Sequence, residues 1–159
     1  MTDQFISACA IGLLAVAVVV GGILFMQRGA HMDLTGPVAV RILPTDANTA
    51  LAVVDLKITN PSDYDFEVSN ITVTLETAVG EFPVTTVGRV DAKRLFDSMP
   101  EAGPFHPTLY TKAVIPAHAT SDYTLLAQYN RPETFLKDRK RFTVQIQEIN
   151  GKVAQFAEK

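Results

Sequence analysis

Among its 159 residues the chain has one cysteine, three histidines and no tryptophan, and each shortage closes off a line of chemistry. A single cysteine, Cys9, allows neither a disulfide within the chain nor haem attachment through a Cys-x-x-Cys-His motif. The histidines, His31, His106 and His118, fall in three different loops or linkers, without metal-ligand spacing, so the usual zinc and copper ligand sets cannot be assembled. No Gly-x-Ser-x-Gly elbow, Walker loop or dinucleotide fingerprint occurs. Ser62, Asp63 and Asp65 offer oxygen ligands near Tyr64, but a calcium loop needs more ligands and its glycine. A basic excess is missing as well. The net charge of −3 and the absence of an aromatic stacking platform to accompany the basic cluster argue against nucleic-acid binding. The expectation is a non-enzyme with no metal, no cofactor and no evident small-molecule substrate.

What the chain does have comes first at its N-terminus. Phe5 to Met26 contains no charged residue. As a helix, its roughly 22 residues reach about 33 Å, enough for a hydrocarbon core of about 30 Å. A cleavable signal peptide would carry a basic n-region and a shorter apolar run. Met1-Thr2-Asp3-Gln4 has no Lys or Arg. A helix apolar on every side also needs a larger soluble core than about 130 further residues can build. Residues 1–27 are therefore expected to form a tail and a transmembrane helix. Ala8, Gly12 and Ala15 make a small-residue stripe that fits either close helix packing or a plain anchor. Arg28 and Arg41 follow the span and no cation precedes it, which favours a cytoplasmic domain at the cell (inner) membrane. A periplasmic domain behind an uncleaved anchor is the competing arrangement.

Gln27 to Pro37, with Gly29, Gly36 and Pro37, breaks the helix and makes residues 28–37 a linker. From Val38 the hydrophobic period changes to two. Val38–Leu43 reads as a strand ended by Pro44. Val54, Leu56 and Ile58 alternate with Asp55, Lys57 and Thr59, one buried face against one wet face. Phe66 and Val68 keep one phase while Ile71, Val73 and Leu75 keep the other, so a bulge or bend is expected at Ser69-Asn70. Glu81–Val87, Leu109–Ile115, Ser121–Tyr129 and Phe142–Gln147 read as further strands. Asn150-Gly151 signals a type I′ hairpin into a last strand at Lys152–Phe156. Helical spacing recurs once, at Asp91–Met99, with Asp91 as cap. Seven or eight short strands with one inserted helix cannot form a parallel sheet, because the crossover helices are lacking. Residues 38–159 are thus expected to be mainly β, a single antiparallel sandwich.

The run from Val54 through Asn60-Pro61-Ser62-Asp63-Tyr64 to Val68 resembles the water-stress and hypersensitive-response domain of late-embryogenesis-abundant proteins. So do the step from Val114-Ile115-Pro116-Ala117 into a strand and the closing Phe142–Phe156. The likeness spans about residues 38–157, with Asp91–Pro107 longer and more helical than the family's loop. It implies an immunoglobulin-like sandwich without known active-site residues.

Two surfaces stand out. Phe96, Met99, Phe105 and Tyr110 lie in or near the Asp91–Pro107 insertion, as cover for the sandwich's own end or as contact for a partner. Lys137, Arg139, Lys140 and Arg141 form the basic cluster, suited to phospholipid headgroups or an acidic partner, or else a solvated loop. Anchor, linker and siteless sandwich together suggest a non-catalytic accessory or scaffold subunit of a larger membrane complex, a bioenergetic one, photosynthetic or respiratory, being one option. Its partners would be other membrane-protein subunits and the bilayer. The alternative is a stand-alone, membrane-tethered stress-protection or ligand-binding module.

Overall fold

In a computed structural model of the chain, the described residues are 12–23, 38–99 and 102–158. Residues 12–23 form helix α1, whose apolar side chains are exposed: Leu13, Leu14, Val16, Val18, Val19, Val20 and Ile23 touch no core. No helix among the described residues is long and apolar enough to cross a membrane. The remainder of the expected span, including Ala8, and the linker expected at 28–37 lie outside the described residues. Gly12 and Ala15 fall within α1, both exposed, with nothing within 4 Å of a Cβ placed on Gly12.

From Val38 onward the strands are β1 (Val38–Asp46), β2 (Thr49–Thr59), β3 (Phe66–Glu76), β4 (Glu81–Thr85), β5 (Val114–Ile115), β6 (Thr120–Tyr129), β7 (Arg141–Glu148) and β8 (Val153–Ala157). They pair antiparallel into two sheets, one ordered β1-β2-β6 and the other β4-β3-β7-β8 with β5 beside β3. Their inward faces share one core. Val54, Leu56, Ile58, Leu125, Ala127 and Tyr129 from the first sheet meet Phe66, Val68, Ile71, Val73, Leu75, Phe142, Val144 and Ile146 from the second. The alternation read from the sequence is thus what places these side chains. Tyr129 also ties the sheets directly, its hydroxyl donating to the Val73 carbonyl at 2.9 Å. The phase change in β3 is a bulge, the register with β7 slipping between Val68 and Asn70. Both hydrophobic sets stay inside because the extra residue turns the strand over.

Several expectations need correction. Among the described residues after Val38 there are two helices rather than one. Besides α2 (Arg89–Ser98) there is α3 (Glu133–Lys137), too short to show a period, which starts after Pro132 and buries Leu136. Helix α2 begins with Gly88 at the cap, leaving Asp91 in the first turn, where its carboxylate suits the helix dipole. Strand β1 continues through Pro44, tolerated because β1 is an edge strand and its register shifts between Pro44 and Asp46. Leu109–Ile115 is strand only at Val114–Ile115, because a turn from Tyr110 to Ala113 with Lys112 at φ 71° interrupts it. The last hairpin is not type I′. Only Gly151 takes positive φ, 86°, and Glu148 N–H bonds to the Lys152 carbonyl, the pattern of a turn followed by a left-handed glycine.

The N-terminal half of β2 departs from simple alternation. Ala50 through Val54 are all buried, because the outer side of this sheet is covered too. Leu51, Val53 and Leu126 pack there against Ala92 and Phe96 of α2 and against Ala102, a second and smaller core.

Candidate binding groove

The turn after β2 fixes the end of the sandwich at which the chain enters. Asn60 is fully buried, and its amide nitrogen lies 2.9, 3.0 and 3.1 Å from the carbonyls of Tyr64, Ile115 and Pro116. Its side-chain oxygen accepts from the Ser62 N–H at 3.1 Å and the Ser62 hydroxyl at 2.6 Å. One side chain thereby joins the β2–β3 turn to β5. The aspartates beside it are occupied in the same way. Asp65 accepts from the Ala117 N–H at 2.9 Å, and Asp63 lies 3.0 Å from His118 Nε2. No group of three or more His, Cys, Asp or Glu able to hold a metal occurs among the described residues.

Between β4 and β5 the chain leaves the sheets, lays α2 over the first sheet and returns along the free edge of β6. Val87 N–H bonds to the Leu126 carbonyl, Thr124 N–H bonds to the Pro107 carbonyl, and Thr108 makes a parallel bridge to Thr124. A polar network pins the return segment. Arg41 grips Asp55 through Nε at 3.2 Å and Nη2 at 2.8 Å, and Nη2 also donates to the Pro104 carbonyl at 2.9 Å. Thr124 donates to the other Asp55 oxygen at 2.7 Å and accepts from the His106 N–H at 3.1 Å. Arg41 and Asp55 are mostly covered, so this pair counts for more than a surface one. Gly103 makes the approach possible: it sits at φ +83°, and a Cβ there would lie 2.5 Å from Arg41 Nη1.

Between α2 and the returning segment lies a groove of about 590 Å³. Phe105, Tyr110, Val114, Tyr123 and Val90 supply its apolar wall, and Arg89, Lys93, Arg94 and Asp97 come from α2. Arg89 stands over the Tyr110 ring at 5.2 Å. Lys93 pairs with Asp97 at 2.8 Å, and Arg94 reaches Asp91 only at 3.9 Å. Thr108 also lines the groove; it is 5% exposed, and its hydroxyl has no hydrogen-bond partner among the described residues. The groove has the size of a typical ligand site and the composition of one end of a protein interface.

The four apolar residues singled out in the insertion separate into two jobs. Phe96 is buried and Met99 packs against the smaller core, whereas Phe105 and Tyr110 line the groove. Phe105 connects the two, its ring 4.3 Å from that of Phe96. Sequence reading missed Arg89, Lys93, Arg94, Thr108 and Tyr123. Arg89, Lys93 and Arg94 do carry a signal, a run of cations on the insertion's helix, but nothing in the sequence brings Tyr123 or Thr108 to them.

The basic cluster is largely engaged by the chain itself. Lys137 pairs with Glu133 at 2.7 Å, Arg139 holds Glu158 through two nitrogens, and Arg141 Nε donates to Glu76 at 2.7 Å. Lys140 makes no ion pair among the described residues. The hydrogen bond from Arg139 holds the Glu158 carboxyl below its ordinary range, and Glu158 in turn raises the guanidinium. Glu76 is lowered first by the Thr143 hydroxyl and then by Arg141.

No protein-family model matches this chain, and no curated protein matches it. Among solved structures it is similar to a Bordetella pertussis protein described as ApaA. That similarity has 14% identity and a TM-score of 0.37, over 80% of this chain and 89% of the other. A likeness this weak carries no argument about fold or function.

Proposed function

We propose that the chain is a non-catalytic, membrane-anchored accessory subunit whose β-domain acts by binding another polypeptide in a larger membrane complex. The observation that carries this reading is the groove beside α2, where aromatic and aliphatic side chains stand exposed next to arginines, the residue types that dominate binding at interfaces. Two features support the membrane half. The apolar side chains of α1 find no place in the domain, and Phe5–Met26 is long enough to span a bilayer. The cation bias after the span favours a cytoplasmic domain at the cell membrane. In finer detail we read the sandwich as immunoglobulin-like, since the order β1-β2-β6 facing β8-β7-β3-β4 matches the A-B-E and G-F-C-C′ arrangement. The Asn60 turn is the element that supports kinship with the water-stress and hypersensitive-response domain.

Extraction of the full chain in mild detergent, followed by native electrophoresis or light scattering, tests the reading. A subunit migrates with partners well above its own 17.3 kDa plus micelle. Migration alone, at the size of one chain, would instead support the second reading, a stand-alone tethered ligand-binding module, which the groove volume favours.

A further inference from the structure

The groove's chemistry narrows what can occupy it. Four ionisable side chains from α2 line it, three cations against one anion, in a chain whose net charge is −3. Lys93 is matched by Asp97, whereas Arg89 makes no ion pair among the described residues and Arg94 has only a long contact. The groove's lining therefore carries a net positive charge although the chain's is negative, which favours carboxylates. Beneath these cations stands an apolar wall in which Val90 is 63% exposed, Val114 51%, Tyr110 40% and Phe105 38%. Such a wall calls for an apolar or aromatic group on the same occupant. The Thr108 hydroxyl in the groove lining, buried and without a partner among the described residues, is a position that a main-chain or carboxylate group of an occupant would satisfy.

Position in the fold points to a polypeptide. Val38 and Tyr123 both pair with Leu56 from opposite sides, so the groove edge lies about two strand spacings, roughly 10 Å, from the residue at which the chain enters the domain. Under the accessory-subunit reading, an occupant held there sits at the end of the domain from which the chain leads back to the proposed anchor. The cations run from Arg89 to Arg94, about 7.5 Å along the helix, which matches two to three residues of extended chain.

We infer that the groove formed by α2, residues 105–114 and Tyr123 is the docking site for an acidic segment of a partner protein bearing an aromatic or large aliphatic side chain. This inference rests on the accessory-subunit reading and specifies its contact. The chain contains no tryptophan, so a peptide's own indole reports binding without background. The probe is acetyl-Asp-Trp-Asp-Leu-Glu-amide, titrated against the full chain in detergent micelles.

A saturable blue shift of indole emission is expected, weakened at least tenfold by the double variant Arg89→Glu, Lys93→Glu and by raising salt from about 0.05 to 0.5 M, where exposed charges are screened. These substitutions fall on exposed positions of α2 and leave Ala92 and Phe96 in place, and a circular dichroism spectrum checks the fold. The inference is overturned by any of three results: no saturable shift, equal binding of acetyl-Lys-Trp-Lys-Leu-Lys-amide, or undiminished binding to the double variant. Displacement of the peptide by indole-3-acetate at equal concentration would overturn the polypeptide source in favour of a free aromatic acid. If the peptide fails while the chain still migrates in a large complex, the contact is wrong and the accessory role stands. If the chain migrates alone, the role fails first.

Discussion

Asn60 shows how much a single side chain can be asked to do. Its amide meets three carbonyls and two donors from Ser62 with no water access, so nothing replaces it when it is removed. Asn60→Ala leaves buried carbonyls unpaired and should lower stability by about 3 kcal/mol, read from the urea midpoint. Asn60→Asp should be at least as costly at neutral pH, because a carboxylate offers no donor to the carbonyls, and should recover partly in acid. Glu158 carries a second residue-level prediction. Its carboxyl is held low in the folded state by Arg139, so the stability it contributes is complete above the ordinary glutamate range and is lost as pH falls through the depressed value. Melting temperature should therefore fall between about pH 5 and pH 3. Glu158→Gln should melt lower at pH 6, by the equivalent of about 1 kcal/mol, and vary less across that range.

At the scale of elements, α2 is the piece that converts a plain sandwich into one with a groove. Ten residues are too few for a stable isolated helix, so it persists by burying Ala92 and Phe96 on the outer face of the first sheet. Phe96→Ala should cost about 3 kcal/mol of local stability. Amide exchange in residues 89–98 should accelerate while β3 and β7 stay protected. Gly103→Ala should loosen the same region from the other side, since its Cβ displaces the Arg41 guanidinium; a loss of about 1–2 kcal/mol of stability, read as a lower thermal midpoint, is expected. Most of the strands were legible in the sequence, because period-two alternation in Val54–Thr59, Ile71–Leu75 and Phe142–Gln147 reports burial directly. What escaped was set by distant partners. Leu51 and Val53 fall outside the alternation because their cover is a helix some forty residues away. Leu109–Tyr110 looked like strand because a left-handed Lys112 leaves no mark in a sequence. The groove was half legible: Phe105 and Tyr110 signalled an apolar surface in the insertion, but only the pairing of β6 with β2 brings Tyr123 beside them.

For the whole molecule, two sheets of three and five strands share a core that also receives Leu136 from α3 and Leu109 from the returning segment. Dispensing with a disulfide, the domain holds its sheets by burial and by the Tyr129 to Val73 link. Burial pushes the Tyr129 phenol up, so its hydroxyl stays protonated and donating throughout the usual pH range. Tyr129→Phe should lower global stability by about 1 kcal/mol without changing the denaturant slope, since the lost group is one hydrogen bond and the exposed area is unchanged.

Strand polarity has a geometric corollary. Val38 pairs at the Leu56 end of β2, whereas Arg141 opens β7 opposite Glu76, at the far end of β3 from Phe66. A ten-residue step along β3 is about 33 Å. If the proposed anchor holds the domain upright, the guanidinium-rich pole would point away from the lipid and the aromatic cleft would lie on the nearer side. A depth-dependent quencher carried in the bilayer should then reach a fluorophore at position 110 long before one at position 140.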